Sequence, residues 1–111
     1  MNTEGLSQAK AMVIIMEAND KIAIYRAVLD GLDDHIVGLY KKRLAVSREI
    51  GKLKAGQNGE INRPDREKEI FDRLEKKSGE DFEYVKALYE LIFEQSKDIQ
   101  WKIKEQTKAQ S

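Results

Sequence analysis

"YKKRLAVSREIGKLK" (residues 40–54) decides how this chain reads. Around it, apolar side chains recur in alternating steps of three and four: Ile15, Ala18, Ile22, Tyr25, Leu29, Leu32, Ile36 and Leu39, then Val46, Ile50 and Leu53. Arg43 stands where the next member of that series belongs. A repeat held over so many turns describes one extended helix with a coiled-coil-like seam. The stop signals of "AGQNG" (Ala55–Gly59) predict its end. At the usual rise it would be about 60 Å long, more than one small domain can cover, which implies a partner chain. Gly31 and Gly38 lie seven apart within it, each costing about 1 kcal/mol relative to Ala. Close helix approach explains them, and so does drift.

Beyond this helix, Pro64 suits the first turn of a second one, with Glu67, Ile70, Phe71 and Leu74 facing inward and Gly79 as its stop. A third begins around Asp81, a good N-cap type, and carries Val85, Leu88, Tyr89, Ile92, Ser96, Ile99 and Ile103. No stretch alternates as a strand would. The final "KEQTKAQS" is polar and expected to fray. The fold class is therefore all-α: three helices, long–short–long, in one domain spanning 1–111 with residues 1–20 as an N-terminal extension.

Composition agrees and removes several kinds of chemistry. Charged residues make up 36% and hydrophobic ones 41%, with a single Pro, a mixture suited to long amphipathic helices. Twenty basic residues balance twenty acidic ones, so the chain as a whole has no electrostatic footprint for nucleic acid. The absence of Cys excludes disulfides, thiolate metal sites and a Cys nucleophile, and one His excludes a His-rich metal site. "AMVIIM" (Ala11–Met16) is too short to span a bilayer and lacks the flanks of a secretory signal, so a cytoplasmic protein with no membrane partner is expected.

What remains unexplained is polar groups on apolar stripes. A buried cation is expensive unless an anion answers it. Lys54 follows Arg43 by eleven residues, about three turns, so both share a face roughly 16 Å apart. Arg26 precedes Arg43 by seventeen residues, about 100° off that face, where it could serve a different pocket or a partner's. Glu67, beside Arg66, falls in line with the inward residues of the second helix. Ser96 interrupts the third stripe, and Gln100 follows one turn later. Taken singly, Arg43 is a register device or a snorkelling side chain, and Lys54 complements a helix C-terminus. Arg66–Glu67 is first-turn surface charge, and Ser96 and Gln100 mean little. Their coincidence on three helices describes a closed pocket for a compact, multiply anionic ligand.

The chain resembles the all-helical chorismate mutases of the small, intertwined-dimer type. The resemblance covers about Ile22 to Lys102 and rests on "YRAVLDGLDDHIVGLYKKR", "REIGKLK", "PDRE" and "SKDIQ". Arg26, Asp33, Arg43, Lys54, Arg66 and Glu67 fall at that family's mutual spacing without gaps, and its Ser-x-x-x-Gln pair is Ser96 and Gln100. The resemblance implies a homodimer whose long first helices pair and whose two active sites are shared. It implies that Arg43 and Arg66 hold one substrate carboxylate or its neighbourhood, and that Arg26 reaches the other carboxylate from the second subunit. Lys54 and Gln100 would bracket the ether oxygen, Glu67 would accept the ring hydroxyl, and Ser96 would add a hydrogen bond near a carboxylate. Conversion of chorismate to prephenate is a unimolecular rearrangement, so no cofactor or metal is implied.

Two departures stand out. "NRPDRE" places Arg63 where the family often has Asp, an added cation that could pair with Glu67 or Asp65. The extension before residue 20 continues the helical repeat, implying a longer helix or packing arm without a catalytic role. Two rival readings stay open at this point. An isochorismate-pyruvate lyase shares the fold and the carboxylate-gripping cations, but typically lacks the acid that Glu67 supplies. A non-catalytic helical dimer would explain the seam but gives no reason to hold Lys54 and Gln100 together.

Overall fold

The computed structural model describes residues 3–110, with side chains from residue 7. Its elements are α1 (Thr3–Gln57), α2 (Pro64–Ser78), a one-turn 3-10 helix (Gly79–Asp81) and α3 (Phe82–Gln110). No strand occurs among the described residues. This is the all-α, long–short–long order that the periodicity predicts. The chain divides into two compact units, residues 1–40 and residues 41–111.

The first unit is the N-terminal part of α1. Its seam is bare within the single chain: Leu29, Leu32, Ile36 and Leu39 are 54%, 50%, 59% and 65% exposed. Neither Gly31 nor Gly38 has anything within 4 Å of where a Cβ would stand, so neither marks a close helix approach within the chain.

The second unit contains the end of α1 with α2 and α3. Helix α1 closes where Asn58 takes a left-handed φ of 55° and the Gly59 N–H reaches back to the Lys54 carbonyl at 2.8 Å. This is a Schellman-type end with Asn, rather than Gly, in the left-handed position. Gly59 is needed for a different reason: a Cβ there would lie 3.2 Å from Lys54 Cγ. Helix α2 opens with Pro64, whose missing N–H would have had no partner in the first turn. The first backbone bond runs from Glu67 N–H to Arg63 O at 3.1 Å. Asp65 and Glu67 in the first turn and Lys76 and Lys77 in the last complement the helix dipole. Gly79, at φ 57°, ends the helix, and Asp81 stands directly before α3.

Helices α2 and α3 pack through Ile70, Leu74 and Phe93, flanked by Phe71, Phe82, Val85 and Tyr89. Phe93 meets Phe71 and Tyr89 edge-on, with ring centroids 5.2 and 5.9 Å apart, the geometry aromatic quadrupoles favour. Phe93 lies outside the inward series read from the sequence, because the buried face of α3 is wide enough for both Ile92 and its neighbour. Leu88, a member of that series, is 54% exposed. The tail does not fray as expected: α3 runs to Gln110. Its Lys, Glu, Gln and Ala residues are good helix formers, and Thr107 Oγ1 donates to Ile103 O at 2.9 Å.

The close helix approach falls at Gly51. A Cβ there would stand 3.2 Å from Gln100 Cα, Gln100 Cγ and Ile103 Cδ1, so α1 and α3 touch through the absent side chain. Gly51→Val should therefore cost about 1–3 kcal/mol through overpacking despite the gain in side-chain burial. Urea titration followed by circular dichroism reads this as a lower midpoint. An unchanged midpoint would mean that the two helices are not in contact there.

Candidate active site

Four positions of α1 in steps of three and four, Arg43, Ser47, Ile50 and Lys54, line one cavity of about 470 Å³, a size ordinary for small-molecule sites. Arg63 from the α1–α2 connection joins them, with Arg66 and Glu67 from α2 and Ser96, Lys97 and Gln100 from α3. Ile61, Ile70 and Phe93 form the apolar wall. The site is an apolar cup rimmed by charge.

At its floor runs a chain of hydrogen bonds. Lys54 Nζ donates to Gln100 Oε1 at 3.2 Å. An ammonium can only donate, so the amide oxygen must face Lys54 and the amide nitrogen must face the other way. Gln100 Nε2 accordingly donates to Ser47 Oγ at 3.1 Å, and Ser47 shares a short hydrogen bond with the Ser96 hydroxyl. Ser47 and Gln100 are only 4% and 7% exposed, and no buried side-chain polar atom among the described residues lacks a partner. Each donor at the floor retains capacity beyond these bonds, since the ammonium carries three N–H groups and the amide two. Burial, and secondarily the nearby Arg63 charge, hold the Lys54 pKa below its ordinary value.

The remaining charges are sorted into pairs. Arg63 grips Asp65 through Nε to Oδ1 at 3.2 Å and Nη2 to Oδ2 at 2.9 Å. That hydrogen bonding is the main reason the Asp65 carboxyl is pulled down to about 2. Of the two acids open to Arg63, it takes Asp65. Arg66 Nη1 lies 3.1 Å from Glu69 Oε2, and Lys97 Nζ lies 3.2 Å from Glu67 Oε2. Arg43 has no carboxylate within ion-pair distance among the described residues. Its guanidinium stands 5.9 Å from the ring centroids of both Tyr89 and Phe93. The cavity thus presents Arg43, Lys54, Arg63, Arg66 and Lys97 against the single carboxylate of Glu67, a lining built for an anion.

Six of the seven residues singled out in the sequence meet here: Arg43, Lys54, Arg66, Glu67, Ser96 and Gln100. Arg26 belongs to the first unit, is exposed, and is not among the lining residues. Two polar lining residues, Ser47 and Lys97, escaped sequence reading, as did Ile61 and Phe93 of the apolar wall. Ser47 lies four residues after Arg43 and seven before Lys54, a spacing that puts it on their face. Lys97, adjacent to Ser96, carries no comparable signal. Among the described residues no group of His, Cys, Asp or Glu side chains could hold a metal, and no helix is long and apolar enough to cross a membrane.

Comparison with known proteins bears on what this cavity does. The family described as chorismate mutase type II matches residues 25–101, well over half of the chain. A chorismate mutase of Methanocaldococcus jannaschii is 29% identical over 91 residues, covering 79% of this chain and 92% of that protein. No solved structure gives a significant match.

The electrostatics of the floor can be tested directly. Arg63→Gln removes a like charge and should raise the Lys54 pKa; because burial is the larger cause, the value should stay below that of a free lysine. NMR titration of the Lys54 side chain measures this, and an unmoved titration would place Arg63 too far away to matter.

Proposed function

The chain belongs to the type II chorismate mutase family, and we propose that it is an isomerase that rearranges chorismate to prephenate in this cavity, as a cytoplasmic step of phenylalanine and tyrosine synthesis. The observation that carries the reading is the Lys54–Gln100 pair, a half-buried ammonium and a buried amide hydrogen-bonded at 3.2 Å inside a cup that also holds Arg43 and Arg66. A non-catalytic helical dimer gives no reason for that arrangement. The presence of Glu67 in the same cavity favours the mutase over an isochorismate-pyruvate lyase.

The reaction is unimolecular, so catalysis reduces to shaping the substrate and stabilising its transition state. Chorismate is a flexible dianion that must fold into a chair-like geometry before bonds exchange. Arg43 and Arg66 hold one carboxylate, with Ser96 close by, and the partner subunit's Arg26 holds the other, which selects the reactive conformer. As the C–O bond breaks, negative charge grows on the ether oxygen. The Lys54 ammonium and the second N–H of the Gln100 amide meet that charge, and they stabilise it more than the ground state. Both are already oriented by the floor network, so little reorganisation accompanies the step. Glu67 accepts the ring hydroxyl.

A shared site requires a homodimer. The exposed apolar seam of α1 supports one: a helix face this apolar calls for a covering surface, and a second copy of α1 has the matching repeat. With Arg26 in the first unit and the other site residues in the second, reach of the N-terminal part of α1 to the partner's cavity would give each cavity its sixth cation.

Incubation with chorismate, followed by loss of its ultraviolet absorbance, tests the activity; no prephenate would end the reading. Lys54→Ala should lower kcat by about 10²–10³-fold with helicity intact. Arg43→Leu should abolish most activity while leaving the fold at least as stable, because leucine suits the apolar stripe and the half-buried charge it replaces has no carboxylate partner among the described residues. Complementation tests the sharing of sites. Arg26→Ala and Lys54→Ala chains, each nearly inactive, should recover roughly a quarter of wild-type activity when unfolded together and refolded. Random pairing makes half the dimers mixed, each with one intact site. No recovery would place Arg26 outside the site.

A further inference from the structure

We propose that Lys97 is a positioning residue for the reaction, holding Glu67 to its task of receiving the substrate's ring hydroxyl and keeping that carboxylate off the cations meant for the substrate. This rests on the mutase reading above.

The Lys97–Glu67 pair differs from every other ion pair among the described residues. The other five join residues two to four apart and expose at least 48% of each side chain. Lys97 and Glu67 join α3 to α2 at 3.2 Å, expose only 31% and 27% of their side chains, and both line the cavity. Exposed pairs of the first kind contribute little to anything. A half-buried pair inside a ligand cavity fixes where a charge points.

The need for such a device follows from the lining. Glu67 is the one carboxylate facing five cations. Left to itself, it would be drawn to whichever cation is nearest, and Arg66 is its neighbour in sequence. A Glu67–Arg43 pair would neutralise the one lining arginine without a carboxylate partner among the described residues. Lys97 engages Glu67 Oε2, so Arg43 keeps clear of that carboxylate, while Arg66 pairs with Glu69. The second carboxylate oxygen still has lone pairs for a hydroxyl donor. Position adds to this: Lys97 follows Ser96 directly and precedes Gln100 by three residues, so one turn of α3 orients all three polar contributions.

The hydroxyl contact is present in ground and transition states alike, so its loss should appear mainly in KM. Lys97→Met, which keeps the stem and removes the charge, should raise KM for chorismate about tenfold, the size expected of one disturbed hydrogen bond to a charged group, and change kcat much less. Lys97→Arg should recover most of the loss. With Glu67→Gln already in place, Lys97→Met should add little. The KM penalty should also shrink for a chorismate analogue whose ring hydroxyl is replaced by hydrogen. Additive losses, or an equal penalty on the deoxy analogue, would overturn the assignment. So would an unchanged KM in an active, folded Lys97→Met enzyme. Should Lys97→Met lose helicity, Lys97→Gln carries the same comparisons. Failure of the wild-type chain to convert chorismate would instead overturn the mutase reading itself.

Discussion

The hydrogen bond from the Lys54 ammonium to the Gln100 amide oxygen joins residues 46 apart, and much of the second unit is arranged so that it can form. It requires α3 to come against α1, which Gly51 permits by having no side chain where Gln100 passes. It requires the Lys54 side chain to leave the last turn of α1 at one angle, and the Asn58–Gly59 closure packs directly against that side chain. It requires the amide to be held from its other end, which Ser47 does from beneath. None of these residues reacts with anything. Together they convert two mobile side chains, each with several freely rotating bonds, into fixed donors.

A second constraint concerns charge. A cavity lined with cations and open to solvent attracts any carboxylate within reach, and this chain is more than one-third charged. The nearby acids each take one cation at the edge of the lining, Asp65 with Arg63, Glu69 with Arg66 and Glu67 with Lys97, and none pairs with Arg43 or Lys54. Arg43 is held instead by the faces of two aromatic rings. Rings attract a guanidinium weakly, on the order of 0.5–2 kcal/mol, and carry no charge to compete with an arriving anion. The core residue Phe93 thus supports the site as well as the α2–α3 interface.

The helices and most of the cavity were legible in the sequence because they rest on period and on residue type. Arg43, Lys54, Glu67, Ser96 and Gln100 announced themselves as polar groups on apolar stripes, a conflict that a single chain displays without any partner. Ser47 did not, since a small polar residue in a helix offends no rule until its burial is known. Lys97 lay beside the stripe and gained meaning only from the acid on another helix. The glycines show the same limit from the other side. Gly31 and Gly38 drew notice by their spacing, yet it is Gly51 that touches α3, because close approach is a property of two helices and only one is visible at a time. Arg63 could be seen as an added charge, but its choice of Asp65 over Glu67 depended on the turn entering α2. The seam of α1 was legible as a demand for a partner, and its exposure in the single chain leaves that demand standing.

The three-residue turn between α2 and α3 has a consequence for the order in which the molecule assembles. The core contacts of Ile70 and Leu74 with Phe93 close a short stretch of chain, whereas the site's own bonds span 46, 49 and 53 residues. Closing longer loops costs more chain entropy, and proteins form local contacts sooner. The α2–α3 hairpin is therefore expected to form first, and the end of α1 to dock on it last. The same order read backwards makes the floor of the cavity the first part to open, with the aromatic core still intact. Native-state amide exchange would show it as weaker protection in residues 43–57 than in α2 and the middle of α3. By that order the site would be the last structure made and the first lost, so a ligand that fills it should also hold the molecule closed.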